Sequence, residues 1–302
     1  MNVLKRCCYR SMKENRKRTV VTIIGVILAT ALITALACLV VSFRASLIAH
    51  EKEQNGDFHY HFLNVKQEYL KYFENNRQIE KYALTEKLGY AYLEGCQNPD
   101  KPYLHISAIE KGMESTLALT LIEGRMPENG SELVVGSHVR SNGLVDINVG
   151  DVLELQIGNR MADEYVLGQE NAYKEGEEEF VPSSREQYTV VGIIERPNQE
   201  WEPRIGPGYS AFTLLEEPRE AEVVEVYASY TEKGLRNAEQ VNAGILGVDK
   251  ELYRRYYVGG ALGIITPEEE QKIRTVAKNV QENYWLLKWE LLIFSSNIMT
   301  ML

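Results

Sequence analysis

From Val20 to Val41 the chain reads VVTIIGVILATALITALACLVV, 22 residues with no charge and no proline. A bilayer core of about 30 Å takes ~20 apolar residues as a helix, a conformation that satisfies its own backbone polar groups. A helix packed into a soluble core would keep a polar face. Here the polar side chains are Thr22, Thr30, Thr34 and Cys38, which can bond back to their own helix or stay hidden. The pattern predicts a transmembrane helix over 20–41 that continues to about His50 and stops near the turn signal Asn55-Gly56. The rival, a cleaved signal peptide, usually has an apolar run of only about 7–15 residues, and Ser42-Phe43-Arg44 makes a poor cleavage site.

Beyond the helix the period changes from 3.6 to 2. Residues 57–65 alternate, with Phe58, Tyr60 and Phe62 on one face and His59 and His61 on the other, as in a strand. A helix is expected over Gln67–Asn75, and strands near Ile79–Leu84, Gly89–Leu93 and Tyr103–Ile109. In the middle of the chain, Leu117–Ile122 leads through Glu123-Gly124-Arg125-Met126-Pro127 to the β run Glu132–Gly136. Gly124 and Pro127 mark a loop, and Val149-Gly150-Asp151 a turn. Leu153, Leu155 and Ile157 face inward on the next strand. Asn159–Ser184, with Glu175, Glu177, Glu178 and Glu179, has no hydrophobic period and reads as a solvated, mobile acidic loop. Tyr188–Ile194 and Ala221–Tyr230 are strands, and Gly234–Gly247 and Lys250–Tyr257 short helices. Thr266-Pro267-Glu268-Glu269 starts a helix expected to run to about Asn283, burying Ile273, Val276, Ala277 and Val280. Strands interrupted by helices along the whole stretch indicate a mixed α+β domain.

Charge gives the helix a direction. Residues 1–18 carry seven Lys/Arg against Glu14 alone, and only Arg44 closely follows the span. By the positive-inside rule the amino terminus is cytoplasmic and the remainder lies outside. Residues 2–18 suit a basic helix along the inner surface, with Val3, Leu4, Cys7, Cys8 and Met12 near one face. The rest of the chain holds 26 basic and 42 acidic residues, a balance of −16, which excludes nucleic acid as a partner through bulk charge.

Chemistry is sparse. Cys96 is the only thiol outside, so no disulfide framework is expected. His59 and His61 share a strand face at a spacing a metal could bridge, but no second His pair or Cys supports it. There is no phosphate-cradling G-x-x-x-x-G-K-[ST] and no G-x-S-x-G elbow. Gly206-Pro207-Gly208-x-x-Ala211 imitates a dinucleotide fingerprint with a proline inside it, and His138 beside Ser137 is not a triad. The chain is read as no enzyme, with no catalytic, cofactor-binding or metal residues and no cofactor.

Taken in order, the basic segment and span, Leu119-Thr-Leu121-Ile-Glu-Gly124-Arg125-Met126-Pro127, Glu132-Leu-Val-Val135, Gly150-Asp151 and Tyr188-Thr-Val-Val-Gly-Ile193 resemble the first helix and extracytoplasmic core of MacB/FtsX-type ABC transporter permeases. The resemblance covers about Met1 to Asn283. It implies a MacB-like α+β core and a cytoplasmic ABC ATPase partner. The lipid bilayer and a second permease copy are its other expected partners. ATP-driven movement would pass through stalk helices, the extension of Val20–Val41 and Pro267–Asn283, to act on peptides, lipoproteins or envelope components outside. The expected organisation is a basic cytoplasmic segment 1–19, a span 20–41, an extracytoplasmic core 42–284, and 285–302 as the truncated start of a second membrane segment. The alternative is a single-span sensor or binding protein without an ATPase.

Overall fold

The computed structural model describes Arg10 and residues 12–216, 223–259 and 265–295. It divides into two units, Met1–Ala49 and His50–Leu302. The expected amphipathic face at Val3, Leu4, Cys7 and Cys8 lies outside the described residues, as do Ala221 and Glu222 at the start of the predicted strand.

One helix, α1 (Arg16–Asn55), fills most of the first unit and supplies the first six residues of the second. No residue of α1 is buried, and it is long and apolar enough to cross a membrane. The hydroxyls of Thr22, Thr30 and Thr34 donate to the carbonyls of Arg18, Val26 and Thr30, each at 2.9 Å, so the threonines of the apolar run are satisfied within the helix.

After Gly56 the chain forms β1 (Tyr60–Lys66), α2 (Lys71–Glu74), β2 (Ile79–Tyr92), β3 (Tyr103–Ile109), β4 (Leu121–Gly124), β5 (Glu132–Gly136), β6 (Val152–Ala162), β7 (Tyr165–Leu167), β8 (Glu179–Ile194), β9 (Gly208–Leu214) and β10 (Val223–Tyr230). There follow α3 (Glu232–Arg236), α4 (Ala238–Ile245), α5 (Lys250–Gly259), α6 (Pro267–Val276), β11 (Asn279–Glu282) and α7 (Tyr284–Ser295). All eleven strands belong to one sheet, ordered β11-β1-β10-β2-β3-β9-β5-β8-β6-β7, with β4 on β8. Tyr90 of β2 also pairs with Gly158 of β6, closing six strands into a ring.

The domain therefore has two halves. In the open half, β11, β1, β10 and the start of β2 turn alternate residues such as Phe62 and Val226 toward α2–α7. These meet Phe73, Leu235, Val241, Ile273 and Leu287. In the ring half, Leu104, Ile106, Leu133, Ile157, Val190 and Tyr209 fill the interior. A third cluster, including Val134, Ile194, Trp201, Phe212 and Tyr227, draws on both halves. The predicted strands Ile79–Leu84 and Gly89–Leu93 are one strand, β2, which serves both halves. A register shift falls between Lys87 and Gly89, and Gly89 sits at φ +126° where a Cβ would lie 2.5 Å from the Gly158 carbonyl oxygen. Only glycine allows the bend and the close approach together.

The Gly-Arg-x-Pro element is a pinned connection between β4 and β5. Gly124 has φ +77°, and a Cβ there would stand 2.2 Å from the Val191 oxygen on β8. Both terminal nitrogens of Arg125 donate to Glu132 at 2.6 Å, and the Glu128 N–H donates to the same carboxylate at 2.8 Å. Those hydrogen bonds hold the Glu132 carboxyl down at about 2.

Three expectations change. Residues 159–184 are a loop only in their middle, because β6 and β8 extend into 159–162 and 179–184 as a long antiparallel ladder from Val152↔Thr189 to Met161↔Glu179, while 168–178 stay outside regular structure and mostly exposed. Their anchor is Arg160, fully buried and paired with Glu178 at 2.6 Å. The helix from Pro267 ends at Val276, with the predicted cap in place as a reciprocal Thr266–Glu269 capping box. Ala277 is extended and β11 pairs with β1, so the four predicted inward residues are all buried but through two elements. Phe58 precedes β1 and packs edge-on to Tyr227, in the cluster common to both halves rather than beside Tyr60 and Phe62. In α7, Leu286 and Leu287 are buried while Tyr284 and Trp285 are exposed, and residues 296–302 lie outside the described residues.

Candidate functional site

The sheet face turned away from the helices of the open half is polar and, apart from the half-exposed Lys87, largely buried. Strict alternation puts His61 of β1 and Glu225 and Tyr227 of β10 on it, with Lys87 of β2 and His105 of β3 alongside. The segment 199–203 and the turn after β7 border this face, leaving a cavity of about 650 Å³. Convergent polar groups in a concavity of that size are the usual mark of a ligand site.

Glu225 is its centre, 3% exposed. Lys87 Nζ lies 2.6 Å from one carboxylate oxygen, and His61 Nε2 donates to the other at 3.1 Å. His61 Nδ1 donates to Glu200 at 2.8 Å, so both ring nitrogens are donors and the ring is an imidazolium, stacked on Tyr227 at 3.9 Å. Burial alone would depress the histidine, but Glu225 and Glu200 outweigh it and raise His61 to about 9. Burial alone would raise the Glu225 carboxyl, yet Lys87 and His61 hold it at about 2. At His105 burial and nearby Lys87 outweigh the pull of Glu225 and Glu202 and drive it down to about 3, leaving it neutral. His61, Glu225 and His105 are each held in one protonation state near neutral pH. The arrangement suits holding a polar ligand better than moving protons.

His59 and His61 do not converge on a metal. His59 Nδ1 accepts from the Tyr230 N–H at 2.7 Å, so Nε2 donates to Glu290 at 2.9 Å. Among the described residues no group of three or more His, Cys, Asp or Glu could hold a metal ion. His138 pairs with Glu202 at 2.6 Å, and Gly206–Ala211 leads from a loop into β9. Cys96 is a free thiol. The sequence reading passed over Glu225, Lys87, His105 and Arg160. One signal was available, because a lone glutamate inside VVEVYASY is a charge destined for burial and therefore in need of partners.

A second constellation ties the ends of two helices. Lys52, in the last turns of α1, reaches Asp57 at 2.9 Å and Glu290 of α7 at 3.3 Å. Lys81 also binds Asp57 at 2.7 Å, and the Asn283 amide donates to the Gly56 carbonyl at 3.2 Å.

No family model matches the chain, and no curated protein matches it in sequence. Among solved structures it is similar to the periplasmic region of MacB from Actinobacillus actinomycetemcomitans, with 7% identity, 73% of this chain and 99% of that chain covered, and a TM-score of 0.38. It is also similar to the extracellular domain of the ABC-type transporter YknZ from Gram-positive bacteria, at 8% identity, 64% and 96% coverage, and a TM-score of 0.36.

Proposed function

We propose that the chain is a permease subunit of the MacB/FtsX type, anchored by α1 with its amino terminus in the cytoplasm and its α+β domain outside. In this reading a separate cytoplasmic ATPase drives movement of the domain, which acts on peptides, lipoproteins or envelope components without catalysing a reaction itself. The observation that carries the reading is the length of α1. Forty helical residues span ~60 Å, about twice what the hydrocarbon core requires. The surplus has no proline or glycine to interrupt it up to Asn55 and ends in the Lys52 ion pairs. A continuous hydrogen-bonded helix fixed by charge at its outer end is the mechanical part that such coupling requires. The ordered Gly-Arg-x-Pro, Gly-Asp and β8 elements support the same reading. The second connector is α7, through Glu290, in place of the expected Pro267–Asn283.

Co-purification from native membranes tests this directly. The expected outcome is an ABC ATPase retained with the detergent-extracted chain, together with protease protection of the amino terminus in right-side-out vesicles. An amino terminus accessible from outside, or a chain that never retains an ATPase, would reject it and favour a single-span binding protein.

A further inference from the structure

On the ring half, away from the cleft around Glu225, a second cavity of about 650 Å³ has a wall rich in cations. Three basic side chains line it, Lys101, Arg196 and Arg204, together with His138, against the carboxylates of Asp100 and Glu202. This is an anomaly in a chain whose residues beyond the first 18 carry a balance of −16.

The two carboxylates do not use up the cations. Glu202 is completely buried and already satisfied. It accepts from Lys101 at 2.8 Å, His138 at 2.6 Å and the Ser210 N–H at 2.9 Å; burial would raise its carboxyl, and the contacts with His138 and Lys101 hold it at about 2. Arg196 reaches it only at 3.5 Å and is half exposed. Among the described residues Arg204 has no hydrogen-bond or ion-pair partner, although acidic side chains are abundant. Asp100 is exposed, and its own N–H is taken by Asn98. Two guanidinium groups therefore face one concavity with most of their donors unused, beside the side-chain amides of Asn98 and Asn142. A planar guanidinium fork matches the paired oxygens of phosphate and carboxylate, and that is the chemistry such a wall selects. The volume is that of a small-molecule site.

We infer that this cavity binds a small molecule through a phosphate or carboxylate group, held by Arg196 and Arg204, with Glu202 serving to fix Lys101 and His138 in the wall. The inference is independent of the transport reading, since an ectodomain could bind such a ligand with or without an ATPase.

Calorimetric titration of the full chain in detergent, at constant ionic strength, tests it with inorganic phosphate in one arm and acetate in the other. Saturable one-to-one binding is expected in at least one arm, and the stronger arm identifies the group recognised. Arg204→Ala and Arg196→Ala remove exposed side chains, and each should weaken binding at least ~10-fold with the thermal midpoint unchanged. Arg185→Ala, which breaks an exposed pair with Glu154 elsewhere on the surface, should leave binding intact. The inference is overturned by an absence of saturable binding in both arms, by Arg204→Ala retaining full affinity, or by Arg185→Ala losing as much as the two cavity variants.

Discussion

Arg160 and Glu225 are both buried charges of one domain, and they are neutralised by opposite chemistry. Arg160 is 0% exposed. It donates to Glu178 at 2.6 and 2.8 Å, and to the carbonyls of Gly168 and Asn171 at 3.0 and 3.1 Å. Its guanidinium also lies over the rings of Tyr90 and Tyr103. Four of its five N–H donors meet an acceptor in that cage, and a guanidinium keeps its charge at any pH the fold survives. Glu225 depends instead on Lys87 and on a histidine, whose charge is lost once pH rises through about 9. The ring half is thus stapled by a cation that keeps its charge, and the open half by one that loses it at alkaline pH. What the contrast teaches is that burial alone says little about a charge, and the partner decides how it behaves.

Arg160→Met is the strongest way to break the comparison. It leaves Glu178 buried without its partner, a loss of about 3–5 kcal/mol. The thermal midpoint of the domain should fall by roughly 10 °C, followed by circular dichroism on the detergent-solubilised chain. An unchanged midpoint would mean that the cage holds nothing together.

Titration sharpens the contrast. His61 has a folded value of about 9 against an unfolded value of 6.5, so its contribution is complete below pH 6.5 and is lost as pH rises through 9. That contribution amounts to roughly 3 kcal/mol if no other group compensates. Wild type and Arg160→Met should both lose stability across this window, whereas His61→Gln should start lower and stay flat. Parallel curves for wild type and His61→Gln would erase the distinction between the two pairs.

A charge-free reference has the smallest effect. Gly124→Ala places a Cβ against Val191 in a left-handed backbone, at a cost of about 2 kcal/mol that should not vary with pH. Denaturant unfolding at two pH values checks it, and a pH-dependent loss would show that the Arg125–Glu132 pair had been disturbed as well.

The parts that could be read from the sequence are those in which local pattern and final packing agree. The apolar run to Val41, the Gly124–Pro127 loop, the Leu153–Ile157 alternation and the Thr266 cap all depend on neighbours a few residues away. The two ends of residues 159–184 misled because charge density was taken as exposure, while Arg160 and Glu178 satisfy each other only when β6 and β8 are aligned; Glu175 and Glu177 between them are exposed as expected. Ile273, Val276, Ala277 and Val280 fit a helical period, but with so few positions a helix that gives way to a strand fits too. Pairing of β11 with β1, far away in sequence, decided between them. The candidate site was the least legible part, since Lys87, His61, Glu200 and Glu225 come from four separate stretches.

The place of β1 in the sheet governs the order in which the domain can form. Both of its neighbours, β10 and β11, come from the far end of the chain, so the first strand made has no partner until roughly 150 further residues exist. The six ring strands are complete by Leu214 and can close beforehand. Folding of the open half is then a late, long-range search, slow by its topology. Until it ends, the unpaired edge of β1 is the stretch of chain most in need of protection from wrong partners.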